Sequence, residues 1–118
     1  MARAANEKPV TDMATIITAD QFQKEVIEAS GAKLVLVDFY ADWCGPCRAV
    51  GPVLEEIGTE LADKVRIVKV NIDSEGELAA QFNVMSIPTM IVFKGGAPVG
   101  TNVGALPKSE IIKWINSL

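Results

Sequence analysis

Few residues in this chain can do chemistry, and two of them stand together. Cys44 and Cys47 are its two cysteines, set three apart in Trp43-Cys44-Gly45-Pro46-Cys47. On the first turn of a helix, side chains at i and i+3 share a face about 5–6 Å apart, a spacing a disulfide can bridge. Two thiols held so can close and reopen a disulfide while the fold stays in place, which suits thiol–disulfide exchange. A helix N-terminus also presents unpaired N–H groups and the positive end of the helix dipole, so a thiolate there is stabilised and its pKa falls. Cys44 is therefore expected to be the more exposed sulfur and the attacking nucleophile. Cys47, one turn deeper, is expected to resolve the mixed disulfide in a second attack that gains from being intramolecular. Pro46 suits the first turn because the N–H it lacks would be unpaired there anyway.

The remaining composition excludes rival chemistries. The sequence has no histidine, which removes Ser/His/Asp and Cys/His catalysis and the commonest metal ligand. A C-x-x-C pair is also half of a zinc or iron–sulfur site, but no second ligand pair exists, so no metal centre is expected. A pair of inert buried cysteines is the plain alternative. The net charge of −4 gives no electrostatic footprint for nucleic acid and no basic cluster for an anionic membrane. No segment reaches the length of a membrane-spanning helix. Residues 1–12 include two acids and no apolar run, so they read as a flexible polar tail rather than a secretory signal, and Arg3 and Lys8 make only a thin organelle presequence. A domain over 13–118 and a cytoplasmic compartment are the resulting expectations.

The elements that must hold the cysteines follow from periodicity. A short β-branched run at 14–17 leads to Thr18, which with Gln21 forms a capping-box pattern ahead of a helix carrying Phe22, Val26 and Ala29. Residues 33–40 contain Leu34-Val35-Leu36-Val37, a strand buried on both faces. After the motif, Cys47, Val50, Leu54, Ile57 and Leu61 repeat at steps of three and four, one face of a helix, with Pro52 expected to kink it. Strands are expected at 65–72, 89–93 and 97–103, the last two joined by the turn Lys94-Gly95-Gly96, with a short helix at 75–82 between the first two. Pro107 opens a final helix with Ile111, Ile112 and Ile115. The order β-α-β-α-β-α-β-β-α predicts an α/β fold: a mixed sheet with helices on both faces, parallel early and antiparallel at the closing hairpin.

Over nearly its whole length, from about residue 13, the chain resembles the thioredoxin family. The shared stretches are Val37-Asp38-Phe39, Ala41-Asp42-Trp43-Cys44-Gly45-Pro46-Cys47-Arg48, Pro52, Lys69-Val70-Asn71-Ile72-Asp73, Ile87-Pro88-Thr89 and Val103-Gly104-Ala105-Leu106. The resemblance implies a central five-stranded mixed sheet flanked by four helices. It implies reduction of disulfide-containing proteins by a monomer with no cofactor beyond the Cys44–Cys47 disulfide, resupplied with electrons by a reductase. It places Trp43, Gly45 and Pro46 on the substrate surface, with Ile87, Pro88, Gly104 and Ala105 opposite, and a cis peptide before Pro88. Two positions depart from the pattern: Tyr40 stands where the family often has tryptophan, and Asp42 falls where the family varies.

Two further residues belong with the catalytic candidates. Asp38 follows four apolar residues on the central strand, so burial should raise its pKa and let it take the proton from Cys47. The alternative is a strand-end aspartate hydrogen-bonded for structure. Lys69 resembles the family's lysine that pairs with this aspartate; from pattern alone it could equally be an exposed strand lysine. Trp43 sits in a loop and suits surface contact, whereas Trp114, on the last helix, reads as packing. Two rival functions remain at this level: an oxidase or isomerase of the same fold, and a binding module that uses the apolar surface around Trp43, Pro88 and Gly104.

Overall fold

The strand that delivers the cysteine motif is buried throughout its centre. The computed structural model describes residues 14–118, so the tail expected over 1–12 lies outside the described residues. Strand β2 (Leu34–Tyr40) lies between β3 (Val65–Asn71), which runs parallel to it, and β4 (Thr89–Lys94), which runs antiparallel. Strand β1 (Ala14–Ile16) pairs parallel outside β3, and β5 (Ala97–Val103) pairs antiparallel outside β4, giving the order β1-β3-β2-β4-β5. The expected mixed five-stranded sheet is therefore present.

Alternation along β2 sorts its side chains into two cores. Val35, Val37 and Phe39 face one side and join Phe22, Val26, Val68, Leu78 and Phe93. Leu36 faces the other and joins Val50, Leu54, Ile57, Ile67, Met90, Ile111 and Ile115. By the same alternation Asp38 and Tyr40 point to the second side, where α2 (Gly45–Glu60) and α4 (Lys108–Asn116) pack. Fully burying each large apolar side chain stabilises the fold by roughly 1.5–3 kcal/mol, so the second core, to which α2 contributes Val50, Leu54 and Ile57, fixes how that helix lies on the sheet.

Helix α1 (Ala19–Phe22) begins as expected, with the Thr18 N–H donating to Gln21 Oε1 at 2.9 Å. It does not run on as one α-helix: the segment widens to a π-turn over Gln23–Glu28 and tightens to a 3₁₀ turn over Ala29–Gly31. Phe22 and Val26 are buried all the same. Tertiary bonding at its end takes over from helical bonding: Ser30 Oγ donates to the Ile27 carbonyl and accepts the Gly96 N–H, and the Ser30 carbonyl accepts the Gly95 N–H. The Gly95-Gly96 turn has φ of 60° and 87°, which glycine adopts without steric cost.

Helix α3 (Gly76–Gln81) covers the first core. The final helix starts one residue later than expected, with Pro107 as the N-cap in extended conformation. Trp114 packs against the second core, as its helical position suggested.

Candidate functional site

Strand β2 ends at Tyr40, and Ala41-Asp42-Trp43 turns the chain into α2. Cys44 is the N-cap residue of α2, with extended φ and ψ of −87° and 112°. Its Sγ accepts the Cys47 N–H at 3.2 Å, so one of the helix's otherwise unpaired donors is aimed at this sulfur. Gly45 and Pro46 fill the first turn and are exposed. Cys44 and Cys47 are joined as a disulfide with Cα atoms 5.3 Å apart.

One expectation needs correction. Cys44 is not the more exposed of the two cysteines: the residues are 4 % and 5 % exposed. In the disulfide the two cysteines are buried together, in a small cluster with Tyr40 and Ala41 against which Ile72 and Ile87 pack. What separates the two cysteines is the helix terminus, not access to solvent.

Residues remote in sequence close the site. The Ile87–Pro88 peptide is cis, and the Ile87 carbonyl oxygen lies 3.9 Å from Cys44 Sγ. The Pro88 carbonyl accepts the Gly104 N–H at 2.8 Å, and Gly104 takes φ of 98°, which ties the start of β4 to the end of β5. Ala105 follows and is exposed. Ile87, Pro88 and Gly104 are thus brought to the side of the disulfide. Trp43 is 66 % exposed, and its Nε1 donates to Asp73 Oδ2 at 3.0 Å across 30 positions of sequence. The sequence pattern did not point to two neighbours. Asp73 orients the Trp43 ring, and the highly exposed Met85 stands with Trp43, Ile72, Val84 and Ile87 around an apolar cavity of about 310 Å³. Nothing in the pattern of 83–86 marked Met85.

Asp38 is completely buried, and neither carboxyl oxygen has a hydrogen-bond partner among the described residues. Burial pushes its pKa from the ordinary 3.8 up to about 7, against the opposing pull of the Lys69 charge. Register places Lys69 directly beside Asp38, since the two are partners across β2 and β3. The Lys69 ammonium nevertheless lies over the Tyr40 ring, 4.4 Å from its centroid, rather than on the carboxylate. Cys47, Tyr40 and Lys69 share the wall of a cavity of about 330 Å³ with Arg48 and Glu55. The site thus holds a redox disulfide at a helix N-terminus, a buried carboxyl able to exchange a proton near neutrality, and a surface rimmed by exposed apolar groups.

Among the described residues, no three His, Cys, Asp or Glu side chains gather as a metal site, and no helix is long and apolar enough to cross a membrane.

Comparison with known proteins gives a consistent result. Residues 13–117 match the family model described as Thioredoxin. A thioredoxin of Rhodospirillum rubrum is 43% identical over 96 residues, covering 81% of this chain and 90% of the relative. Thioredoxin 1 of Synechococcus elongatus is 48% identical over 104 residues, 88% of this chain and 95% of the relative. The chloroplastic M-type thioredoxin of Chlamydomonas reinhardtii is 43% identical over 116 residues, 97% of this chain and 81% of the relative.

Proposed function

The chain belongs to the thioredoxin family and is a thiol–disulfide oxidoreductase, a protein-disulfide reductase with its redox disulfide at Cys44 and Cys47, and from that premise we propose how its residues divide the reaction. In the reduced protein the Cys44 thiolate attacks a substrate disulfide. A mixed disulfide forms and one substrate thiolate leaves. Cys47 then gives up its proton and attacks Cys44 Sγ. The intramolecular disulfide closes, and the second substrate sulfur departs and is protonated. The observation that carries this assignment is the Cys47 N–H aimed at Cys44 Sγ, 3.2 Å away at the helix N-cap. A donor and a dipole end directed at one sulfur favour its thiolate over that of its partner.

Asp38 accepts the Cys47 proton. Support comes from its burial on the α2 side of β2 and from a pKa raised into the range where it can take and return a proton at neutral pH. Lys69 tunes that acid. Trp43, Gly45 and Pro46 contact one side of an extended substrate segment, and Ile87, Pro88, Gly104 and Ala105 contact the other, where the Ile87 backbone can pair with the substrate as an added strand. The protein works as a monomer on disulfide-containing proteins, needs no cofactor beyond its own disulfide, and receives electrons from a thioredoxin reductase. It acts in a reducing compartment, the cytoplasm, where substrate disulfides are meant to be opened.

The test is to trap the intermediate. Cys47→Ser incubated with a disulfide-containing protein such as insulin should accumulate a covalent complex on non-reducing gels, while Cys44→Ser should not. A complex formed only by Cys44→Ser would reverse the two roles. Replacing both cysteines with serine separates catalysis from simple binding: insulin reduction in the presence of dithiothreitol should fall to the uncatalysed rate.

A further inference from the structure

Tyr40 is buried at the end of β2, two residues beyond Asp38 on the same face of the sheet. The Lys69 ammonium has two electron-rich neighbours on that face, the Asp38 carboxyl and the Tyr40 ring, and it lies over the ring. A cation over an aromatic face is attracted by the ring quadrupole, more so where water is scarce. Among the described residues Asp38 meanwhile has no hydrogen-bond partner for either oxygen, although its cross-strand neighbour is a lysine.

We propose that Tyr40 is a positioning residue: its ring holds the Lys69 ammonium at the cavity wall beside Cys47 and so withholds it from the Asp38 carboxylate. The consequence is electrostatic. An ammonium drawn onto Asp38 would favour the ionised form and leave it a weaker proton acceptor. Held over the ring, the same charge is felt at a distance, and burial stays the larger influence on Asp38.

The other charges around this cluster do not replace Lys69. From α2, Arg48 donates to the Asp42 carbonyl at 2.7 Å, and Glu55 lines the cavity. Asp42, after β2, is exposed. The flanking strands bring uncharged residues into register, Met90 of β4 beside Asp38 and Ile16 of β1 beside Lys69. Lys108, at the start of α4, is paired with Glu56 and Glu60 of α2. Lys69 is thus the cation to which Asp38 responds, and what holds Lys69 sets that response.

The proposal deepens the reading of Asp38 as proton acceptor, but it can fail separately. The experiment is a titration of the Asp38 carboxyl carbon by NMR in the oxidised protein, where neither cysteine titrates. Tyr40→Leu removes the ring, and the midpoint should fall by about half a pH unit, the scale of one cation–π contact. Tyr40→Phe keeps the ring and should titrate like the parent. Lys69→Met should raise the midpoint, and adding Tyr40→Leu to it should change nothing further. An unchanged or raised midpoint in Tyr40→Leu would overturn the proposal; a rise would mean that Lys69 had moved to Glu55. An equal fall in Tyr40→Phe would overturn it too, by assigning the effect to the hydroxyl. If instead Asp38→Asn left mixed-disulfide resolution at the parent rate, the acceptor role would fall while the Tyr40 effect stood.

Discussion

The buried carboxyl of Asp38 has no hydrogen-bond partner among the described residues, and the Lys69 charge offsets only part of its desolvation; a group retained under those terms points to chemistry. If it takes the Cys47 proton, Asp38→Asn should slow release from the mixed disulfide about 10²-fold or more at neutral pH, the lower bound of general-base assistance, and leave the first attack nearly unchanged. Stopped-flow measurement of the two steps decides this; equal slowing of both would rule the role out. The surface residues behave differently. Trp43 keeps its orientation through one hydrogen bond to Asp73. Asp73→Ala should free the ring and weaken substrate capture, read as a raised KM with kcat little changed, because the contact is made in substrate and transition state alike.

At the scale of elements, the cysteine helix is both catalyst and anchor. Its N-terminus supplies the donor to Cys44, and its buried stripe of Val50, Leu54 and Ile57 locks it against β2 and β3. The first helical segment is tied to the hairpin by Ser30, whose Oγ bridges the Ile27 carbonyl and the Gly96 N–H. Ser30→Ala should destabilise the protein by about 1 kcal/mol, the scale of losing hydrogen bonds at a part-buried site, and should raise hydrogen exchange at the Gly96 amide. A change in the denaturation midpoint without protection loss at that amide would place the effect elsewhere. Gly100 faces Trp114: a Cβ there would lie 3.1 Å from the indole Nε1 and 3.3 Å from Leu118. Gly100→Ala should therefore overpack the hairpin against α4 and cost about 1–3 kcal/mol in chemical denaturation.

For the whole molecule, Asp38 couples stability to pH. The unfolded chain releases this proton near 3.8, and the folded protein keeps it to about 7, so the folded state binds the extra proton between those values. The contribution is most favourable below pH 4, is lost as pH rises through the window, and levels off above 7. A tenfold change in proton affinity is worth about 1.4 kcal/mol, so the swing across this window amounts to a few kcal/mol. Urea denaturation of the oxidised protein should give a free energy that declines from pH 5 to pH 8, and Asp38→Asn should flatten that decline. A profile equally steep in the variant would assign the pH dependence to other groups.

The sequence by itself determined what is local or periodic. The C-x-x-C spacing at a strand-to-helix turn, the unbroken apolar run of β2, the stripe of α2 and the glycine turn at 95–96 each follow from side-chain period and turn chemistry within a few residues. The mixed sheet and its two-sided core followed from the alternation of elements. Residue pattern leaves open which distant groups meet, and where the family resemblance implied neighbours, tertiary structure decided how they meet. Alternation assigns a strand residue to a face but not to a partner, so the pairing of Asp38 with Lys69, and the seat of that lysine on Tyr40, wait on the register of β2 against β3. The equal burial of the two cysteines and the approach of Ile87 to Cys44, 43 positions away, likewise depend on how the loop before β4 packs over the helix terminus. No spacing within one segment encodes that contact, because it joins the start of α2 to the loop before β4, 43 positions away.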